Sequence, residues 1–170
     1  MGRVIQVVGY QNSGKTTFVV EYIQAADKLG LKVGTIKHHG HQGSVKIDDH
    51  QKDSGLHRHA GAYVSVVEGN GSFVMTSEKI SLSLQQLVFM YHQFQLNIIV
   101  IEGYKSASYP KVVLIRSIED VSILNRLVNI CCVVTTIELP NDITKKYKIF
   151  HNTRDTIEWL LTNKVGELIE

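Results

Sequence analysis

The sequence predicts an α/β fold in which a mostly parallel sheet is flanked by helices and carries a β-hairpin excursion. Three observations predict it. Apolar stretches of strand length at 4–8, 32–36 and 97–101 alternate with segments whose apolar residues recur at helical spacing. The first strand, its helix and the second strand follow one another in so short a span that parallel pairing through a right-handed crossover is expected. Between that strand and helix lies Gly9-Tyr10-Gln11-Asn12-Ser13-Gly14-Lys15-Thr16, which reads G-x-x-x-x-G-K-[ST].

That octapeptide is a P-loop, and the helix after it shows Phe18, Val19, Tyr22, Ile23, Ala26 and Leu29 at three- and four-residue intervals. Gly9 and Gly14 carry no side chain that would block the chain as it curls around an anion. The loop N–H groups then converge on phosphate, and the helix N-terminus adds partial positive charge. The expected binding set is Gly9, Asn12, Ser13, Gly14, Lys15, Thr16 and Thr17. In this set Lys15 reaches the outer phosphates, and the Thr16 hydroxyl belongs on Mg²⁺.

Composition narrows the remaining possibilities. The chain has 170 residues, 44% of them hydrophobic and 20% charged, so a single P-loop nucleotide-binding domain over 1–170 is expected. Eighteen basic and 16 acidic residues leave a net charge of +2, which makes no case for nucleic acid or a membrane surface. No apolar run approaches the roughly 20 residues that span a bilayer. The first strand begins almost at once, leaving no room for a signal peptide. Cys131 and Cys132 are adjacent in an apolar run and should face opposite ways in a strand, which is no disulfide framework. A cytoplasmic location is expected.

Along the chain, Gly30 is a helix stop and 32–36 the second strand. The segment 37–59 holds His38, His39, His41, His50, His57 and His59, with Asp48, Asp49 and Asp53, at the sheet edge where open α/β folds bind ligands. Two readings stand for these histidines, a transition-metal site and a polar loop facing the ligand. Asp48 or Asp53 is on the edge where a P-loop site needs a carboxylate near Mg²⁺. A short helix at 53–60 ends at Gly61. Strands at 62–67 and 72–75 flank the turn Asn70-Gly71 and form the hairpin. A helix over 83–94 leads to the buried strand 97–101, which closes on Glu102-Gly103, an acidic strand end suited to hold Mg²⁺. Strands at 112–116, 130–134 and 148–150 and a helix at 118–127 follow. Thr153 caps a final helix, and the last residues are expected to fray.

The P-loop G-Y-Q-N-S-G-K-T-T, V-G-T-I-K-H-H at 33–39, K-D-S at 52–54, A-G-A at 60–62 and I-E-G-Y-K at 101–105 occur in that order. In this combination the chain resembles the MobB family, the molybdopterin-guanine dinucleotide biosynthesis adapter proteins. The resemblance implies GTP binding with weak GTPase activity and a homodimer. It also implies support for attaching GMP to the molybdopterin cofactor beside a MobA-type guanylyltransferase. By motif it assigns phosphate and Mg²⁺ roles to Lys15 and Thr16, makes Asp53 and Glu102 the metal-side carboxylates, and puts Lys37 and His38 on the loop facing the ligand. Catalysis would then rest on Lys15, Asp53 and Glu102.

Two other functions are compatible with a P-loop. A small-molecule kinase of this size needs a lid carrying clustered arginines, whereas Arg3, Arg58, Arg116, Arg126 and Arg154 are scattered. A metal-delivery GTPase rests on the histidines alone. The sequence has no N-K-x-D motif to read guanine, so the expectation of GTP comes from the family.

Overall fold

The computed structural model describes residues 2–40, Asp49 and 51–169. The elements run β1 (Arg3–Gly9), α1 (Lys15–Lys28), β2 (Val33–Lys37), α2 (Asp53–His59), β3 (Ser65–Gly69), β4 (Ser72–Thr76) and α3 (Leu84–Tyr91). They continue with β5 (Ile98–Glu102), β6 (Lys111–Ile115), β7 (Ile130–Thr135), α4 (Asn141–Lys146), β8 (Ile149–Phe150), α5 (Thr153–Thr162) and β9 (Glu167–Leu168). The chain packs as two compact units, Met1–His38 with Leu87–Glu170, and His39–Gln86. Among the described residues, no helix is long and apolar enough to cross a membrane.

The first unit is built on a seven-stranded sheet in the order β2-β5-β1-β6-β7-β8, with β9 also on β1. All neighbours on that path run parallel. β1 is central because its residues satisfy both faces. Val4, Ile5, Val7 and Val8 are at most 1% exposed, the continuous apolar run expected of a strand covered on both sides. Ile5 and Val7 pack with Phe18, Tyr22, Ile157 and Leu160 from α1 and α5. Val8 packs on the other side with Ile123, Leu124 and Leu127. Each large side chain so buried contributes on the order of 1.5–3 kcal/mol. Cys132 belongs to the α1 side and is buried while Cys131 is partly exposed, so the adjacent cysteines do face opposite ways.

Two polar residues are fully buried in this sheet. Lys111 donates through Nζ to the carbonyls of Ala107 and Tyr109, and Gln6 donates through Nε2 to the carbonyls of Gly103 and Tyr104. Both tie down the loop that connects β5 to β6. Burial pushes the Lys111 ammonium pKa down, which is the direction desolvation of a cation dictates.

The second unit holds α2 and the antiparallel hairpin β3–β4. Asn70 (φ +51°) and Gly71 (φ +79°) both take left-handed backbone at its turn, as the Asn-Gly pair predicts. Arg58 of α2 is buried and organises this unit. Its Nη1 donates to Asp49 Oδ2 at 3.0 Å and Ser65 Oγ at 2.8 Å, while Nη2 bonds the other Asp49 oxygen. Ser54 Oγ donates to the same Asp49 at 2.7 Å. A planar guanidinium bonded to both oxygens of one carboxylate is a strong, directional clasp.

Several local features differ from the sequence expectation. Residues 118–126 form 3-10 turns rather than an α-helix, started by a capping box between Ser117 and Asp120. α4 is an added helix of 6 residues, too short to show periodicity. The chain end is paired rather than frayed: Arg3 and Val4 oppose Leu168 and Glu167 in antiparallel register, and Ile169 N donates to Gly2 O at 3.0 Å. The cap of α5 is Asn152 and not Thr153, since Asn152 Oδ1 accepts from Asp155 N at 2.8 Å. Both residue types cap well, and the one in extended backbone takes the position. Asn152→Ala should therefore lower unfolding stability by about 1 kcal/mol in urea titration; a change within error would show that the cap does not hold α5.

Candidate functional site

The loop between β1 and α1 has the backbone its sequence requires. Asn12 (φ +59°) and Gly14 (φ +89°) both adopt left-handed conformations, which asparagine tolerates better than most residues and glycine best of all. A Cβ on Gly9 would clash with Ser13 Oγ and lie 2.8 Å from Leu114 O, so the loop passes too close to β6 for any side chain. Lys15 folds back, with Nζ donating to Tyr10 O and, at 3.4 Å, to Ser13 Oγ. Its pKa is lowered, first by burial and further by Lys105 and Lys37, with Glu102 opposing. Several positive charges thus converge where the motif expects an anion.

The carboxyl end of β5 completes the site. Parallel register sets Glu102 beside Val7 on one side and Lys37 on the other. From α1, the Thr16 hydroxyl donates to Glu102 Oε1 at 3.1 Å and approaches Oε2 at 3.3 Å. Lys37 Nζ lies 3.1 Å from Glu102 Oε1 and 3.4 Å from Thr16 Oγ1. The chain turns sharply after Glu102, with Gly103 at φ +94° and Tyr104 at φ +51°. A Cβ on Gly103 would meet His38 Cβ at 3.0 Å, and beside that close approach the His38 and Tyr104 rings lie with centroids 4.5 Å apart, tilted by 44°. Thus Lys15, Thr16, Lys37, His38 and Glu102, separated along the chain, gather at one sheet edge.

Two contributors escaped sequence reasoning. Arg116, the residue after β6, donates through Nη1 to Asn12 O at 2.9 Å and so braces the P-loop. Lys105 lies 4.4 Å above the Tyr10 ring, a cation–π contact that keeps another positive charge over the loop. The only sequence signal for Arg116 was its place at a strand end; Lys105 was already inside the E-G-Y-K segment. Beside the loop, a cavity of about 300 Å³ is lined by Thr17, Phe18, Arg116, Thr135, His151 and Asn152 among others.

Asp53 belongs to the second unit, exposed at the first residue of α2. Asp48, His41 and His50 lie outside the described residues. Among the described residues, no three His, Cys, Asp or Glu side chains stand together as a metal-binding group.

A glycine-bounded loop between the central strand and the first helix of a parallel sheet, facing an acidic residue on the adjacent strand, defines a P-loop NTPase-like protein. The chain belongs to the MobB family: the family model for molybdopterin guanine dinucleotide synthesis protein B matches residues 4–136. It is 39% identical over 131 residues to a probable molybdopterin-guanine dinucleotide biosynthesis adapter protein of Bacillus subtilis, covering 77% of this chain and 75% of that one. The Escherichia coli adapter protein is 30% identical over 116 residues, 66% of this chain and 65% of its own. The crystal structure of Bacillus subtilis MobB superposes with a TM-score of 0.81 at 34% identity, covering 97% of this chain and 99% of that chain. A MobB homolog from Bacillus stearothermophilus gives 0.72 at 33% identity, over 94% and 96%.

The loop geometry makes a direct prediction. Gly9→Ala should destabilise the fold by about 1–3 kcal/mol through overpacking against Ser13 and Leu114, read as a lowered midpoint in thermal unfolding. An unchanged midpoint would mean that the loop can move off β6 freely.

Proposed function

We propose that this chain binds GTP with Mg²⁺ at its P-loop, hydrolyses it slowly, and acts as an adapter in molybdopterin guanine dinucleotide biosynthesis. In this role it works as a homodimer beside a MobA-type guanylyltransferase, supporting conversion of molybdopterin to the dinucleotide cofactor. The observation that carries the reading is the convergence of the Thr16 hydroxyl and the Glu102 carboxylate at 3.1 Å, next to Lys15 on the P-loop. Family membership supplies the pathway, because the named relatives are adapter proteins of that biosynthesis.

The residues fit the expected metal. Thr16 and Glu102 offer hydroxyl and carboxylate oxygens only, the donor set of a hard cation such as Mg²⁺. When bound, Mg²⁺ neutralises charge on the β- and γ-phosphates. The protein does the rest with its own groups. The main-chain N–H groups of residues 12–16 orient the phosphates, and the Lys15 ammonium swings from Tyr10 O to meet them. Asp53 is retained as a second metal-side carboxylate on the K-D-S motif. The cavity bordered by Thr17, Phe18 and Arg116 has room for the nucleoside end.

Slow turnover follows from where the cations point. Arg116 donates to the P-loop main chain rather than standing free over it, and lack of an arginine finger costs about 10³–10⁵ in rate. Lys15→Ala should weaken GTP binding by about 2–4 kcal/mol in calorimetric titration, since a charge-assisted contact to phosphate is lost. Unchanged affinity would exclude the P-loop as the nucleotide site. Glu102→Gln and Asp53→Asn should each slow hydrolysis more than they weaken metal-free GTP binding; wild-type hydrolysis in either variant across a Mg²⁺ series would remove that residue from the metal site. The adapter role is tested by reconstitution with a MobA-type transferase, molybdopterin and GTP. Stimulation that is lost in Lys15→Ala supports it, and rapid phosphorylation of a small metabolite by this chain alone would make it a kinase.

A further inference from the structure

The Lys37 side chain does something no phosphate-binding lysine needs to do. Its ammonium bonds the two groups expected to hold the metal, 3.1 Å from Glu102 Oε1 and 3.4 Å from Thr16 Oγ1, while those two oxygens are themselves 3.1 Å apart. Lys37 thus caps a triangle whose other corners are the hydroxyl and carboxylate donors. The pairing is built into the sheet, because Lys37 and Glu102 are register partners and His38 N donates to Glu102 O at 2.9 Å just beyond them. The two partners differ in freedom: the Lys37 side chain is 62% exposed and that of Glu102 only 12%. The lysine can leave into solvent, whereas the carboxylate stays.

We propose that Lys37 is an exchangeable internal cation that occupies the Thr16–Glu102 pair when no divalent metal is bound and gives way to it. The proposal rests on the nucleotide-binding reading above and adds a positioning role within it. The physical need is electrostatic. A largely buried carboxylate on the P-loop edge repels incoming phosphates unless a cation covers it. Lys37 covers it in metal-free protein, so a nucleoside triphosphate can dock before its metal is seated. A divalent ion would then take the place of the ammonium, because hard oxygen donors favour the higher charge and the Lys37 end of the pair is open to solvent. Lys37 therefore loosens the thermodynamic coupling between metal and nucleotide, and removing it should tighten that coupling.

The test measures affinity for a fluorescent GTP analogue in EDTA and in saturating Mg²⁺, with Lys37→Met, Lys37→Arg, Glu102→Gln and the Lys37→Met/Glu102→Gln double variant. Lys37→Met should lose about tenfold in EDTA and much less in Mg²⁺, since an uncovered charge repels the ligand only while metal is absent. Half-saturating Mg²⁺ at fixed nucleotide should fall. Lys37→Arg keeps the charge and should behave as wild type. In the Glu102→Gln background the lysine change should no longer matter in EDTA. Equal loss with and without Mg²⁺ would make Lys37 an ordinary phosphate contact and overturn the proposal, as would no loss in either. Wild-type protein that binds no nucleotide would instead overturn the functional reading itself, and this proposal with it.

Discussion

Register in the parallel sheet is the constraint on which the site depends. β5 lies between β2 and β1, and one row across these strands holds Lys37, Glu102 and Val7. In neighbouring strands the side chains of one row project to the same face. Glu102 is therefore aimed toward Thr16 on α1, with Lys37 alongside. A slip of one residue would turn the carboxylate to the opposite face and leave the P-loop hydroxyl without its partner. The apolar residues of β1 and β5 oppose the slip: β1 is packed on the α1 side through Ile5 and Val7 and on the 118–126 side through Val8, while β5 sets Ile98 and Val100 into the α1 side and buries Ile99 and Ile101 as well.

The loop after β5 depends on the same row. Gly103 turns the chain in left-handed backbone directly after Glu102, and Gln6 and Lys111 hold the following carbonyls from within the sheet. Burying a lysine is costly unless its protons are accepted. Lys111 meets that condition with two main-chain carbonyls, and the reward is a fixed loop carrying Tyr104 against His38 and Lys105 over Tyr10. Positive charge is thereby arranged around the P-loop by residues that are themselves held from below.

Features encoded locally were legible in the sequence. The P-loop, its strand and helix, Glu102 at a strand end and the Asn70-Gly71 turn each lie within a few residues, where spacing and backbone preference decide the structure. What was not legible depends on distant partners. The Lys37–Glu102 contact needs the register of β2 on β5, and the Arg116 contact to Asn12 needs β6 beside β1. Neither follows from spacing along the chain. β9 has 2 residues and α4 has 6, lengths at which no period can be counted. Arg58 reads as one charge in a short polar helix, and only folding shows that it gathers Asp49, Ser54 and the hairpin into the second unit.

The central position of β1 also has a consequence for biogenesis. β1 is made well before its hydrogen-bonding neighbours β5, β6 and β9, which begin at Ile98, Lys111 and Glu167. On the ribosome this apolar strand emerges with both edges bare and waits for most of the polypeptide to appear. Contacts so distant in sequence make folding slow and leave sticky intermediates exposed. The hydrophobicity that later seats the P-loop so firmly is thus, during translation, an aggregation hazard.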